Sequence, residues 1–229
     1  MELTKKQTGR IAGMIYLALA ITAAFAIVYV PSQIEVKNNA AQTVANIVNN
    51  EFLFRAGIVS HLTSQVLFIF LGLMLYRFLK EVNEYKARVM RGLILVQIPI
   101  VFIIESIKLV TIMVAKGELL QQFSAAQSGD VVMLLLKIHS CGIATLELFW
   151  GLWLIPFGQL IYRSGFAPKI LGILLQLGGY AYILESMVLM LLPGAHASIV
   201  QFTFIFYSLA EVSIILWLLI IGARFKTKT

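Results

Sequence analysis

The run Gly92-Leu-Ile-Leu-Val-Gln-Ile-Pro-Ile-Val-Phe-Ile-Ile-Glu-Ser-Ile-Lys-Leu-Val-Thr-Ile-Met-Val-Ala115 decides the fold. Its only formal charges are Glu105 and Lys108. As a helix it is roughly 36 Å long at about 1.5 Å per residue, enough to cross about 30 Å of hydrocarbon. A backbone in oil must satisfy its own polar groups, so a segment of this kind crosses as a helix. Five further runs read the same way, at residues 11–30, 52–79, 131–161, 170–192 and 200–223. The whole chain, 1–229, is therefore expected to be one all-α integral membrane domain, a bundle of six transmembrane helices.

The composition agrees. Of the 229 residues 60% are hydrophobic and 13% charged, against about 25% charged in soluble domains. The net charge is +7, but the basic residues fall in short clusters between apolar runs. No basic stripe with interleaved aromatics lies outside them, so nucleic acid is not an expected partner; the lipid bilayer is. The single cysteine, Cys141, permits no intrachain disulfide and reads as a small packing residue. The first run has a basic leader (Lys5, Lys6, Arg10) and an Ala24-Phe25-Ala26 that resembles a cleavage site, but its apolar part is longer than a signal peptide's. It is expected to be a retained helix.

Basic residues also orient the bundle. With the N-terminus inside, thirteen of the 18 Lys and Arg lie in inner segments, including Lys226 and Lys228 at the far end, while the outer loops hold only Lys37 and Lys116. This asymmetry predicts both termini inside. In the outer loops, residues 39–50 read as an amphipathic helix with Asn39 and Gln42 as a capping pair and Val44, Ala45 and Val48 on its apolar face. Leu119, Leu120 and Phe123 give the next outer loop an apolar side, so both loops are expected at the membrane interface.

Two hairpins resemble one another. Gly72…Tyr76-Arg77 and Gly158…Tyr162-Arg163 end the second and fourth runs, Gly92 and Gly172 open the following ones, and Glu105-Ser106 and Glu185-Ser186 come at equal distances beyond. Such a duplication, helices 2–3 against 4–5, would be parallel. In the fifth run Gly172, Gln176 and Gly179 form a stripe suited to close helix packing.

Ionisable residues inside apolar spans are costly and mark functional sites by default. Glu105 and Glu185 lie about 20 Å from the inner helix ends, His61 and His139 about 12–14 Å from the outer ends, and Glu211 about 16 Å. These five groups on five helices are expected to share a layer in the outer half of the membrane, with Glu147 and Lys108 nearby. Ser64 and Gln65 share a face with His61, and Gln97 with Glu105. Lys137 is expected to snorkel outward. Three readings stay open. Glu105 with Lys108, spaced i, i+3, is a pair that neutralises itself, so the charges could fix helix register alone. Stacked carboxylates and imidazoles suit proton hand-over or cation coordination, in a bundle that moves or senses a small ion or solute. His61, His139 and Glu105 could ligate zinc or iron, although no HExxH spacing supports an intramembrane metal enzyme. No P-loop, GxSxG elbow or dinucleotide fingerprint is present, so neither a catalytic residue nor a cofactor is assigned.

Four segments carry a family resemblance. They are Arg10-Ile-Ala-Gly-Met-Ile-Tyr16, Asn50-Glu-Phe-Leu-Phe-Arg-Ala-Gly57, Leu75-Tyr-Arg-Phe-Leu79 with Val82-Asn83, and Ile161-Tyr-Arg-Ser-Gly-Phe-Ala-Pro-Lys-Ile-Leu-Gly172. Over nearly its whole length the chain resembles the bacterial membrane family called domain of unknown function 4386. The resemblance implies a small multi-pass protein of the bacterial cytoplasmic membrane and carries over no activity, cofactor or site residue. In the last segment, Gly165 is expected to end one helix, Pro168 to start the next and Lys169 to face headgroups.

Overall fold

The computed structural model describes residues 3–224; Lys226 and Lys228, counted above for orientation, lie outside the described residues. Among the described residues the structure is helical, and six helices are long and apolar enough to cross a membrane: Lys5–Ile34, Glu51–Leu79, Glu84–Ala115, Ala125–Arg163, Lys169–Leu191 and Pro193–Ile220. They are called here the first to sixth spans. The short helix Ala40–Asn49 precedes the second.

Several spans begin earlier than their apolar runs because polar caps start them. Thr4 and Gln7 form a reciprocal capping pair before the first, and Ser124 and Gln127 form another before the fourth. Asn83 accepts from the Lys86 backbone N–H before the third, where Glu84 adds an acid to the first turn. The sixth ends at Gly222, whose φ of +75° lets its N–H reach back to the Trp217 carbonyl. The first span holds a π-helical turn, Phe25–Tyr29, closed by the Val30 N–H on the Phe25 carbonyl. Pro31, which lacks an N–H and crowds the preceding turn, follows at once and accounts for the wider turn.

The polarity of the fold is inverted relative to a soluble protein. His61, Ser64, Gln65, Gln97, Glu105, Lys108, His139 and Glu185 are buried, whereas Phe70, Ile103, Tyr180 and Leu216 are exposed. Apolar side chains thrown outward over every span, with charge turned inward, are stable in lipid and not in water. The structure is that of a multi-pass membrane protein. Cys141, expected as a packing residue, is exposed instead. It falls between the inward positions His139 and Ile143 of the fourth span.

Internal contacts divide the chain into two compact units. One comprises the described residues of Met1–Ala18, Leu67–Ile98 and Ala144–Thr229. Here helix backbones touch. A Cβ placed on Gly158 would lie 2.6 Å from the Gly172 carbonyl oxygen, and one placed on Gly179 would lie 2.8 Å from that of Gly151. Gly151 and Gly158 are seven residues apart, as are Gly172 and Gly179, so two antiparallel helices meet at matched glycines two turns apart. Gly9 and Gly13 of the first span face Gly222 and Leu219 in the same manner. The second and third spans meet differently: a Cβ on Gly72 would meet the Ile94 side chain at 3.1 Å, and one on Gly92 would meet nothing within 4 Å. The glycines that make the two hairpins look alike therefore serve different packing. At the turn between the fourth and fifth spans Gly165 has φ of +72° and Pro168 caps the fifth span, as the sequence indicates.

The other unit comprises Leu19–Val66 and Pro99–Ile143. Its core packs Val30, Ile34, Ile47, Phe54, Ile58 and Ile112. Asn39 does cap the short helix, accepting from the Gln42 N–H at 3.0 Å. The face it buries centres on Thr43 and Ile47, one position away from the expected Val44, Ala45 and Val48. Thr43 draws the helix inward by bonding the Val36 N–H, and Asn46 does so by bonding the Ile34 carbonyl. Leu119, Leu120 and Phe123 are exposed, but their segment is not helical.

Candidate functional site

Inward positions recur every three or four residues along three spans of the second unit. They are Phe54, Ile58, His61 and Gln65 on the second; Val101, Glu105, Lys108 and Ile112 on the third; and Val132, Leu136, His139 and Ile143 on the fourth. The polar residues thus occupy register positions that would otherwise carry packing side chains. The consequence is a single node. His61 Nδ1 lies 2.6 Å from Glu105 Oε1, and His139 Nε2 lies 2.7 Å from the same oxygen. Lys108 Nζ stands 3.6 Å from Glu105 Oε2. All four side chains are buried; Glu105 is 1% exposed.

The donors follow from this geometry. For Glu105 as a carboxylate, His61 donates from Nδ1 and His139 from Nε2. In a neutral His61 that tautomer leaves Nε2 as an acceptor, and Nε2 is buried without a hydrogen-bond partner among the described residues. Ser64 hydrogen-bonds the His61 carbonyl and Gln65 bonds Ser64, which stiffens the turn that presents the ring. Lys108 interacts through charge with Glu35, in the segment after the first span. Loss of hydration holds the Glu35 carboxyl above its usual range, and the Lys108 charge opposes this.

The node does not fit a metal. Zinc ligands at about 2.0–2.1 Å around a tetrahedral centre stand about 3.3 Å apart, whereas these donors sit at hydrogen-bond distance on one shared oxygen. Among the described residues no group of three or more His, Cys, Asp or Glu is arranged to hold a metal ion.

The remaining expected residues lie in the first unit. Glu211 accepts from the Tyr16 hydroxyl on Oε2 and from the Tyr182 hydroxyl on Oε1, each at 2.7 Å. Tyr182 is held by a stack on Tyr207, with ring centroids 4.0 Å apart and planes at 9°. Glu185 accepts from the Thr203 hydroxyl. Glu147 interacts through charge with Glu185, and its Oε2 has no partner among the described residues. Of the three positive charges that the sequence places inside apolar runs and away from the basic clusters, Arg55 pairs with Glu51 at 2.7 Å, Lys108 with Glu105, and Lys137 is exposed. Among the described residues none forms an ion pair with Glu147, Glu185 or Glu211. Structural pairing of charges therefore accounts for Arg55 and Lys108 and leaves these three glutamates unexplained.

Tyr16, Tyr182 and Thr203 are absent from the sequence reading because hydroxyl side chains in an apolar run carry no charge signal. Interhelical hydrogen bonds in membranes contribute about 0.6 kcal/mol on average and up to about 1.7. Tyr16→Phe and Tyr182→Phe should each lower stability in detergent by about 1 kcal/mol. The double variant should depart from the sum, because both hydroxyls serve one carboxylate. Thermal unfolding of the four proteins checks this; strict additivity would show that Glu211 does not couple them.

No curated protein and no solved structure matches the chain. A match to the family described as Domain of unknown function (DUF4386) extends over residues 11–222, nearly the full length, and the chain belongs to that family.

Proposed function

We propose that the protein moves or senses protons in a membrane, and that Glu105 shared between His61 and His139 is the exchanging group. The observation that carries this reading is one buried carboxylate oxygen held by two imidazoles at 2.6 and 2.7 Å. A register-fixing pair needs only Glu105 and Lys108; it gives no reason for two histidines on two other helices. Titratable groups in contact pass a proton with little movement of heavy atoms, and imidazole changes charge near neutral pH. Lys108 balances the ionised Glu105, so the node changes charge by one when it gains a proton. Glu35, just past the end of the first span, supplies a carboxyl near Lys108, with its proton held more firmly than in an ordinary surface acid.

The three glutamates of the first unit extend the reading. Carboxylates without a basic partner in a medium of low dielectric suit coordination of a small cation. The basic asymmetry supports placing both termini in the cytoplasm, and the family resemblance supports a bacterial inner membrane. The paired Glu-Ser positions, Glu105-Ser106 and Glu185-Ser186, support a parallel duplication of the two hairpins.

The test is proton flux into proteoliposomes driven by a potassium diffusion potential. Wild-type protein is expected to acidify or alkalinise the lumen above the empty-vesicle rate, and Glu105→Gln to return the rate to that baseline. Equal rates for both proteins, above baseline, would remove Glu105 from the pathway. No flux from correctly inserted wild type under either polarity, together with no proton uptake by the purified protein between about pH 5 and 8, the range in which histidine titrates, would overturn the proposal.

A further inference from the structure

We infer that the cavity at the turn between the fourth and fifth spans is a binding site for a phosphate anion. The cavity has a volume of about 330 Å³ and is lined by Lys86, Gln159, Tyr162, Arg163 and Gln176. All five belong to the first unit. Two carry full positive charge, the others offer amide and hydroxyl groups, and no carboxylate lines the space. Neither Lys86 nor Arg163 forms an ion pair among the described residues, although Arg88, two residues beyond Lys86, does so with Glu84.

The local fold holds these cations in place. Gly158 and Gly172 bring the fourth and fifth helices into backbone contact, which sets Gln159 and Tyr162 opposite Gln176. Gln159 accepts a hydrogen bond from Lys86 Nζ and draws the ammonium to the cavity wall. The left-handed Gly165 ends the helix just after Arg163, so the guanidinium stands at the rim of the turn. Tyr162 and Arg163 lie in one of the four segments that carry the family resemblance, and the proton-exchange reading gives that segment no task.

Phosphate is the anion that fits. A guanidinium presents a planar fork to phosphate oxygens and an ammonium adds a point charge, together balancing up to two negative charges. The volume accommodates a phosphate with a small organic group attached. The cavity also sits where the apolar run ends at Ile161 and resumes at Ile170, the level of lipid headgroups. The phosphate can thus come from an anionic phospholipid or from solution. This inference is independent of the role given to Glu105.

Thermal unfolding of the purified full-length protein in a neutral detergent tests it. The probes are phosphatidylglycerol against phosphatidylcholine, and inorganic phosphate against chloride at equal ionic strength. The wild type is expected to unfold several degrees higher with phosphatidylglycerol than with phosphatidylcholine. In Lys86→Gln/Arg163→Gln the concentration giving half the shift should rise at least tenfold. Lys37→Gln, an exposed cation of the other unit, should keep the wild-type response. A shift with inorganic phosphate that the double variant also loses identifies a soluble ligand; a shift with the lipid alone identifies a headgroup. If the double variant does not fold, Lys86→Arg/Arg163→Lys, which keeps the charge, is compared with the single Arg163→Gln by lipid phosphorus retained after purification. The inference is overturned if neither probe differs from its control, or if the charge-removing variants respond as the wild type does.

Discussion

Glu105→Gln is expected to reduce proton flux to the level of empty vesicles, and Glu105→Gln/Lys108→Met to restore stability without restoring flux. Glutamine keeps the shape of the side chain but removes its exchangeable charge. It also leaves Lys108, 3% exposed, without its counter-charge in the interior. Removing one partner of a buried ion pair costs about 3–5 kcal/mol because the other charge stays behind. The single variant will therefore be less stable, and lost flux alone would not separate chemistry from folding. Substituting Lys108 by methionine at the same time removes the orphaned charge, and replacing both members of a buried pair by apolar groups is often neutral or stabilising. A stable, inactive double variant assigns flux to the carboxylate. A stable double variant with wild-type flux would assign the node to structure; no flux from either protein would suit a non-catalytic partner of another membrane protein. His61→Gln and His139→Gln should each lower flux at least tenfold, whereas His196→Gln, at the opening of the sixth span, should leave it unchanged.

Gly158→Leu is expected to prevent stable folding. At the first Cβ the added atom would meet the Gly172 carbonyl at 2.6 Å and the Gln176 backbone nitrogen at 2.9 Å. Backbone atoms of a packed helix do not swing aside as a flexible side chain does, so the helices must separate. Overpacking in cores costs about 1–3 kcal/mol where side chains can adjust; here the neighbour is backbone and the expected loss is at least about 3 kcal/mol. Separation at Gly158 would also release the matched contact at Gly151 and Gly179. The counterpart test is Gly92→Ala. A Cβ there meets nothing within 4 Å, and alanine is favoured over glycine in a helix by about 1 kcal/mol. That variant should unfold at the same temperature or higher. A tolerated Gly158→Leu would mean that these two helices do not meet at their backbones.

The contrast between those two glycines shows where sequence reading reaches its limit. The six spans are legible because hydrocarbon thickness sets a length that no soluble element needs, and each apolar run falls on one span, the last two overrunning its end by one and three residues. Their true starts were legible too, in Thr4…Gln7 and Ser124…Gln127, but such caps lie outside the apolar runs and hydropathy passes over them. Gly158 and Gly172 stand in sequence as Gly72 and Gly92 do. Only the approach of the neighbouring helix separates glycine required by contact from glycine with space around it. For the site, helical periodicity brought His61, Glu105, Lys108 and His139 to inward faces, and the structure joins them. Periodicity does not say which inward residues meet, so one layer was expected for Glu105, Glu185, Glu211 and the histidines. The contacts instead fall in two sets, Glu105 with the imidazoles and Lys108, and Glu211 with two tyrosines, each in its own unit of the chain. The hydroxyl partners were missed because tyrosine and threonine are ordinary members of apolar runs.

The shared carboxylate itself is open to direct observation. The chain has three histidines, so ¹⁵N-histidine labelling in lipid gives a spectrum that His61→Gln, His139→Gln and His196→Gln assign by loss of signal. With Glu105 accepting from both rings, His61 should show a hydrogen-bonded Nδ1–H and His139 a hydrogen-bonded Nε2–H. Both should shift in Glu105→Gln/Lys108→Met while His196 stays in place. Imidazole signals for His61 and His139 that are indifferent to the loss of Glu105 would contradict the account at its centre.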